Sequence, residues 1–119
     1  MIKMTMFLKR KAGMRHEDFV KHHIEVHGPK FRSIPEAEAH CLRYIQTHPV
    51  ALETDVTQNA DFDGTAELWF DSEQGMEAVL TSDTYKNVVF PDEKTFLDHA
   101  NTLILVGEQV AIMGDHREG

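Results

Sequence analysis

Two short segments carry the side chains best able to do chemistry, and each joins a histidine to a proline: His27-Gly28-Pro29 and Tyr44-Ile45-Gln46-Thr47-His48-Pro49-Val50. An unperturbed imidazole titrates near pH ~6.5, so around neutrality it can give or take a proton as a general acid or base. Side chains alternate along a strand, which puts Tyr44, Gln46 and His48 on one face. A phenol, an amide and an imidazole side by side need polar partners if they are buried. A ligand or a bound water would supply them, making this face a pocket wall; the alternative is a dimer interface that fixes His48 by hydrogen bonds. His27 falls at the end of an amphipathic stretch, where the partial negative charge of a helix C-terminus favours a cation or a donated N–H. It is either a capping histidine or an acid/base.

Further residues join this set from the third expected strand. Glu67 and Trp69 share one face there, while Ala66, Leu68 and Phe70 form an apolar face suited to helix packing. Trp69 suits the lining of a barrel or a dimer core. Glu67 is a structural partner for an inward group, or an acid/base candidate if burial raises its pKa. We expect Tyr44, Gln46, Glu67 and Trp69 to lie together on the sheet face away from the helices. His23 and His27 stand four apart, a spacing that could hold a metal, but Glu25 follows His23 by two and points off that face. No cysteine or carboxylate is placed by sequence to complete a site, so no metal is expected. His16, His22, His40, His99 and His116 read as surface residues, and Met4 and Met6 as core. The chain lacks a Gly-rich phosphate loop, and no cofactor is expected.

The elements that position these groups follow from periodicity. Ile2, Met4, Met6 and Leu8 alternate with Lys3, Thr5, Phe7 and Lys9 as a first strand. Lys9-Arg10-Lys11 reads as a solubilising turn at its end. From Arg15 to His27 the pattern is helical, with Phe19, Val20, His23, Ile24 and His27 on one stripe, and Gly28-Pro29 is a helix stop. Lys30 to Glu38 reads as a short connection, and Leu42 to Val50 as a second strand. Glu53 to Asp61 is a polar loop, and Phe62-Asp63-Gly64 turns into a third strand, Thr65 to Asp71. Ser72 caps a second helix through Met76, Val79 and Leu80. Thr81 to His99 reads as a helical turn plus a loop around Pro91-Asp92-Glu93, and Thr102 to Met113 as a long final strand. The order β-α-β-β-α-β fits an α+β, ferredoxin-like antiparallel sheet with both helices on one face. The uncovered face predicts a homodimer closing two sheets around an interior. One domain spans residues 1–113, and 114–119 form a polar tail.

Bulk composition narrows the function. With 12 basic and 20 acidic side chains the net charge is −8, a field that repels phosphate backbones, so no nucleic-acid partner is expected. The apolar fraction of 41% and charged fraction of 27% are those of an ordinary soluble domain. No apolar run approaches the ~20 residues needed to cross a bilayer. The N-terminus lacks the pattern of a signal peptide. Cys41, the single cysteine, rules out an intramolecular disulfide and reads as a small buried apolar residue. A cytoplasmic protein is expected.

The strand end Leu8-Lys9-Arg10-Lys11, then Glu17-Asp18-Phe19, His27-Gly28-Pro29, Tyr44-Ile45-Gln46-Thr47-His48 and Phe62-Asp63-Gly64-Thr65-Ala66-Glu67-Leu68-Trp69-Phe70 together resemble the EthD-type family in order and spacing. The resemblance spans Met1 to about Ile112. It implies a dimeric α+β barrel of ferredoxin-like subunits. The family takes its name from an accessory protein of alkyl-ether degradation. It includes methylmuconolactone isomerases and polyketide-tailoring dehydratases or decarboxylases that use no cofactor, and it is loosely grouped with oxidoreductases. By resemblance we expect a cofactor-independent enzyme acting on a small hydrophobic, oxygenated ring compound, such as a lactone, an aromatic or a polyketide intermediate. His27 or His48 would move the proton, and Tyr44, Gln46, Glu67 and Trp69 would contact the ligand. The competing expectation is a non-catalytic binding or accessory dimer of a degradation pathway.

Overall fold

The computed structural model describes residues 1–50 and 61–114. Four strands form one antiparallel sheet in the order β2-β3-β1-β4: β1 Ile2–Leu8, β2 Cys41–Thr47, β3 Gly64–Phe70 and β4 Leu103–Gly107. Helices cover one face of it, giving the α+β, ferredoxin-like architecture expected. Register decides which side chains meet that layer. Met4 and Tyr44 both pair with Leu68, and Met6 and Gln46 both pair with Ala66. Met4, Leu8, Ala66, Leu68 and Phe70 are buried there against Phe19, Phe31, Ile34, Val79, Val89 and Phe96. The expected polar loop, apart from Asp61, and the tail beyond Gly114 lie outside the described residues.

The helical layer departs from the expectation at Pro29 and at Pro91. Helix α1, His16–His22, does not stop at Gly28-Pro29. It passes through a π-helical turn, His23–His27, directly into α2, Gly28–Arg32, with Pro29 in its first turn. Proline has no N–H to give and its ring crowds the carbonyl four residues back. The wider turn absorbs this, with the Gly28 N–H reaching the His23 carbonyl. The same device recurs in the second half, where a π-turn, Tyr85–Val89, leads into Phe90–Phe96 with Pro91 in its first turn. The segment expected as a loop around Pro91-Asp92-Glu93 is thus a helix, because proline followed by acidic residues is a favourable first turn. We number the intervening helices α3, Pro35–His40, and α4, Glu73–Leu80, and the last one α5. Ser72 caps α4 as expected, accepting from the Gly75 N–H at 2.9 Å.

The final strand is shorter than expected. Among the described residues it pairs only with β1, from Phe7↔Leu103 to Lys3↔Gly107, and β1 itself begins at Ile2, so the partner runs out. Val110, Ile112 and Met113 are left 79%, 87% and 84% exposed. The Lys9-Arg10-Lys11 turn is a clasp: the Arg10 backbone N–H and guanidinium donate to Asp63 at 2.8 and 2.6 Å, and His16 meets the same carboxylate at 2.8 Å. Hydrogen bonds from Arg10 and His16 outweigh the effect of burial and hold the Asp63 carboxyl below its usual range.

Candidate active site

The helices that carry Pro29 and Pro91, each preceded by a π-turn, bring buried polar groups onto the inner face of the sheet. On the first, His23 and His27 lie inside the π-turn, 1% and 8% exposed. His27 is therefore in mid-helix, and the expected helix-end capping role does not arise. On the second, Asp92 and Glu93 follow Pro91 and are both buried.

Asp92 is the hub of one network. Its carboxylate meets His27 Nδ1 at 2.9 Å, His22 Nε2 at 2.9 and 3.0 Å, and Lys30 Nζ at 3.5 Å. Burial pushes this carboxyl upward, but the hydrogen bonds from His27 and His22 outweigh it and hold it below its ordinary value. An ionised carboxylate only accepts, so His27 Nδ1 carries the hydrogen. Nε2 of neutral His27 then holds the lone pair. Asp92 does not line the cavity that His27 lines, which leaves Nε2 as the His27 nitrogen available to it. His22, expected at the surface, belongs to this buried network, as its spacing from Phe19 and His23 did not suggest.

A second network starts from Gln46. Its Nε2 donates to the Tyr44 hydroxyl and to the His23 carbonyl, both at 2.8 Å. Gly28 makes the second contact possible, since a Cβ there would meet Gln46 Nε2 at 3.2 Å and the His23 oxygen at 3.4 Å. Because the Tyr44 oxygen accepts from Gln46, its own O–H is left to donate. Burial pushes the Tyr44 phenol up to about 12, so that hydrogen stays in place. His48 Nε2 meets His23 Nδ1 at 2.9 Å, with its ring against Gly64, where a Cβ would meet His48 Cδ2 at 3.0 Å. Burial, and then the neighbouring charges of His48, His27 and His22, push His23 down to about 3. It stays neutral near pH 7.

Glu93 anchors a third set. Its carboxylate accepts from the Tyr85 hydroxyl at 2.7 Å and His99 Nε2 at 3.0 Å. Burial, followed by the Glu93 charge, raises the Tyr85 phenol far above its usual value.

His23, His27, Tyr44, Tyr85 and Glu93 line one cavity between sheet and helices, whose other walls include Met4, Met6, Leu68, Leu80 and Phe96. Its volume is about 30 Å3, far below the few hundred that would hold a ring compound without rearrangement. Phe31 and Tyr44, edge to face with centroids 5.2 Å apart, also line a broad open cleft of about 670 Å3 beside Arg32, Glu38 and Arg43. The two rings therefore stand between cavity and cleft.

The expected residues are not all together. Tyr44 and Gln46 share one face of β2 as expected, but that is the inner, helix-covered face; β2 ends at Thr47, short of the expected Val50, so His48 lies just beyond the strand. Glu67 pairs with Thr5 and Ile45 on the outer face, and Trp69 with Lys3 and Arg43. The expectation of one face for all four is thus corrected: alternation sorts residues within a strand, and register alone relates one strand to the next. Glu67 binds Lys3 Nζ at 2.6 Å. Trp69 sits against Lys3 and Arg43, 4.7 and 5.1 Å from its ring, and donates to Gln109 at 2.6 Å. Asp92, Glu93 and Tyr85 were not anticipated, although the Pro-Asp-Glu run marks a helix start and thereby an inward-facing acid.

The EthD domain model matches residues 11–100. The chain belongs to the EthD family. Solved structures agree at the level of fold. An EthD family protein from Bacillus halodurans superposes with a TM-score of 0.71 at 18% identity, over 92% of this chain and 99% of its own. An EthD-like protein from Ralstonia eutropha gives 0.67 at 16%, covering 94% of each chain. A dimeric ferredoxin-like protein of unknown function from Thermobifida fusca gives 0.65 at 14%, over 91% of this chain and 90% of its own. No curated protein sequence gives a significant match.

Proposed function

We propose that this EthD-family chain is a cofactor-independent acid–base enzyme for a small hydrophobic ring bearing a carbonyl, such as a lactone or an aromatic or polyketide intermediate. The observation that carries this reading is His27, the one of two imidazoles lining the cavity that is held at Nδ1 by the buried Asp92 carboxylate. In the proposed reaction His27 Nε2 takes a proton from the carbon beside the carbonyl. The Nδ1–H donated to Asp92 stabilises the imidazolium that results. The carbonyl oxygen gains negative charge as the C–H pair moves into the carbon framework, and the Tyr44 O–H donates to it. Return of the proton to another carbon completes an isomerisation. Gln46 aims Tyr44, and His48 orients His23 beside His27.

The small cavity and the closed His23–His48 contact favour a second reading, a non-catalytic accessory binder. Methyl NMR tests the binding site that both readings share, and hydrogen–deuterium exchange at carbon, expected of the enzyme alone, separates the two. Titration with a panel of lactones and hydroxyaromatics should shift the Met4 and Met6 methyl signals, and Tyr44→Phe should weaken the carbonyl-bearing ligands by about tenfold. Shifts confined to the outer face would overturn the assignment of the site.

We also propose a homodimer. Leu103, Ile104, Leu105 and Val106 on the β4 edge are 56%, 59%, 63% and 47% exposed. Arg43 Nε on the outer face is buried with no partner among the described residues. A second copy would cover the first and supply an acceptor to the other. The outer-face residues Glu67 and Trp69 then belong to the interface. No helix among the described residues is long and apolar enough to cross a membrane. A reducing compartment, the cytoplasm in our reading, keeps the Cys41 thiol free.

A further inference from the structure

One inward-facing charge, Glu93, has no part in the proposed proton transfer. Glu93 is 5% exposed and lines the same cavity as His27 and Tyr44. A carboxylate offers two oxygens with about four lone-pair sites and donates nothing. Tyr85 and His99 fill one site on each oxygen. The remaining lone pairs have no other donor among the described residues, in a cavity walled by Met4, Leu68 and Phe96. Water or a ligand O–H is what can satisfy them.

We propose that Glu93 selects the ligand: the cavity, after widening from the ~30 Å3 it has here, takes a neutral ring that carries a hydroxyl, and it rejects a ring that carries a carboxylate. This names the substrate class of the site and rests on the reading of that site given above. A ligand hydroxyl would donate to Glu93, while a carboxylate would bring a second negative charge beside it. No lysine or arginine lines the cavity to compensate; Lys30 is spent on Asp92, His23 is held neutral, and His99 sits on the solvent side of Glu93. Glu93 and Tyr44 line the same cavity, so both face one space. A ring bound by its hydroxyl at Glu93 and its carbonyl at Tyr44 is held at two points, which leaves the intervening carbon to His27.

The test is binding, not turnover. The full-length protein at pH 7 is titrated with phenol, anisole and benzoate, and the Met4 and Met6 methyl signals are followed by NMR. Phenol stays neutral at this pH, anisole cannot donate and benzoate is an anion. Phenol should bind about tenfold or more tightly than either of the others. Glu93→Gln should erase most of that advantage, and Tyr85→Phe, which frees a lone pair on the carboxylate, should keep or raise it. Benzoate or anisole binding as well as phenol would overturn the proposal while leaving His27 as the acid/base. If Glu93→Gln does not fold, the ratios in the parent protein decide. If none of the three probes moves the cavity signals, both this proposal and the active-site reading fall.

Discussion

At the scale of single residues, the proposed function rests on one imidazole, His27, whose Nδ1 is held by the Asp92 carboxylate. His27 and Tyr44 were legible in the sequence because their residue types and strand or helix positions are local properties. Asp92 was not, because it lies 65 residues from His27 and only folding makes it a partner. His23 shows what burial does without such a carboxylate. Its native pKa, about 3, lies below the ordinary 6.5. On acidification the unfolded chain takes up a proton near pH 6.5 that the folded chain refuses, so stability falls as pH drops from there toward 3. By pH 4.5 the loss from this group should reach roughly 2–3 kcal/mol. His23→Phe replaces it with a ring suited to its neighbours Phe19 and Phe96. Urea unfolding between pH 7 and pH 4.5 should show a flatter profile in that variant. An unchanged slope would mean that His23 is not the buried neutral group described here.

At the scale of elements, two proline-induced π-turns place the polar residues. Periodicity revealed the helices but not their continuation, because Gly-Pro usually ends a helix and only the tertiary layer shows that these turns widen instead. Strand alternation likewise separated Tyr44 from Ile45 and Glu67 from Leu68. It could not say which face of β2 matches which face of β3, and a register shift between Cys41 and Arg43 adds to the ambiguity. The length of β4 was illegible for the same reason: its end is set by where β1 begins. Gly28 gives this scale a test of sign. Alanine is the better helix former by about 1 kcal/mol, so on propensity alone Gly28→Ala should stabilise. Its Cβ would stand 3.2 Å from Gln46 Nε2 and push that amide from the His23 carbonyl, so we expect a net loss of about 1 kcal/mol, the scale of one hydrogen bond. Equilibrium denaturation in urea gives the sign directly.

For the whole molecule, our proposal divides labour between the two faces of one sheet, with the chemistry on the inner face and the association on the outer face and β4 edge. Sedimentation equilibrium at micromolar concentration should give about twice 13.6 kDa. Leu105→Glu, at an exposed position on β4 facing outward with Thr5, should shift the equilibrium to monomer by burying an unpaired charge. A dimer unaffected by this change would place the interface elsewhere. The central claim is that His27, held by Asp92, moves a proton on a bound ring. It is tested most directly by hydrogen–deuterium exchange at carbon, because that step needs no knowledge of the final product. Cyclic lactones and hydroxyaryl ketones are incubated with the protein in D2O and read by mass spectrometry. At least one should gain deuterium beside its carbonyl faster with protein than without. His27→Gln should cut that rate by about 10²–10⁴-fold, Asp92→Asn should lower it as well, and both variants should remain folded dimers. Exchange that persists in His27→Gln, or that disappears instead with His48→Ala, would contradict the assignment.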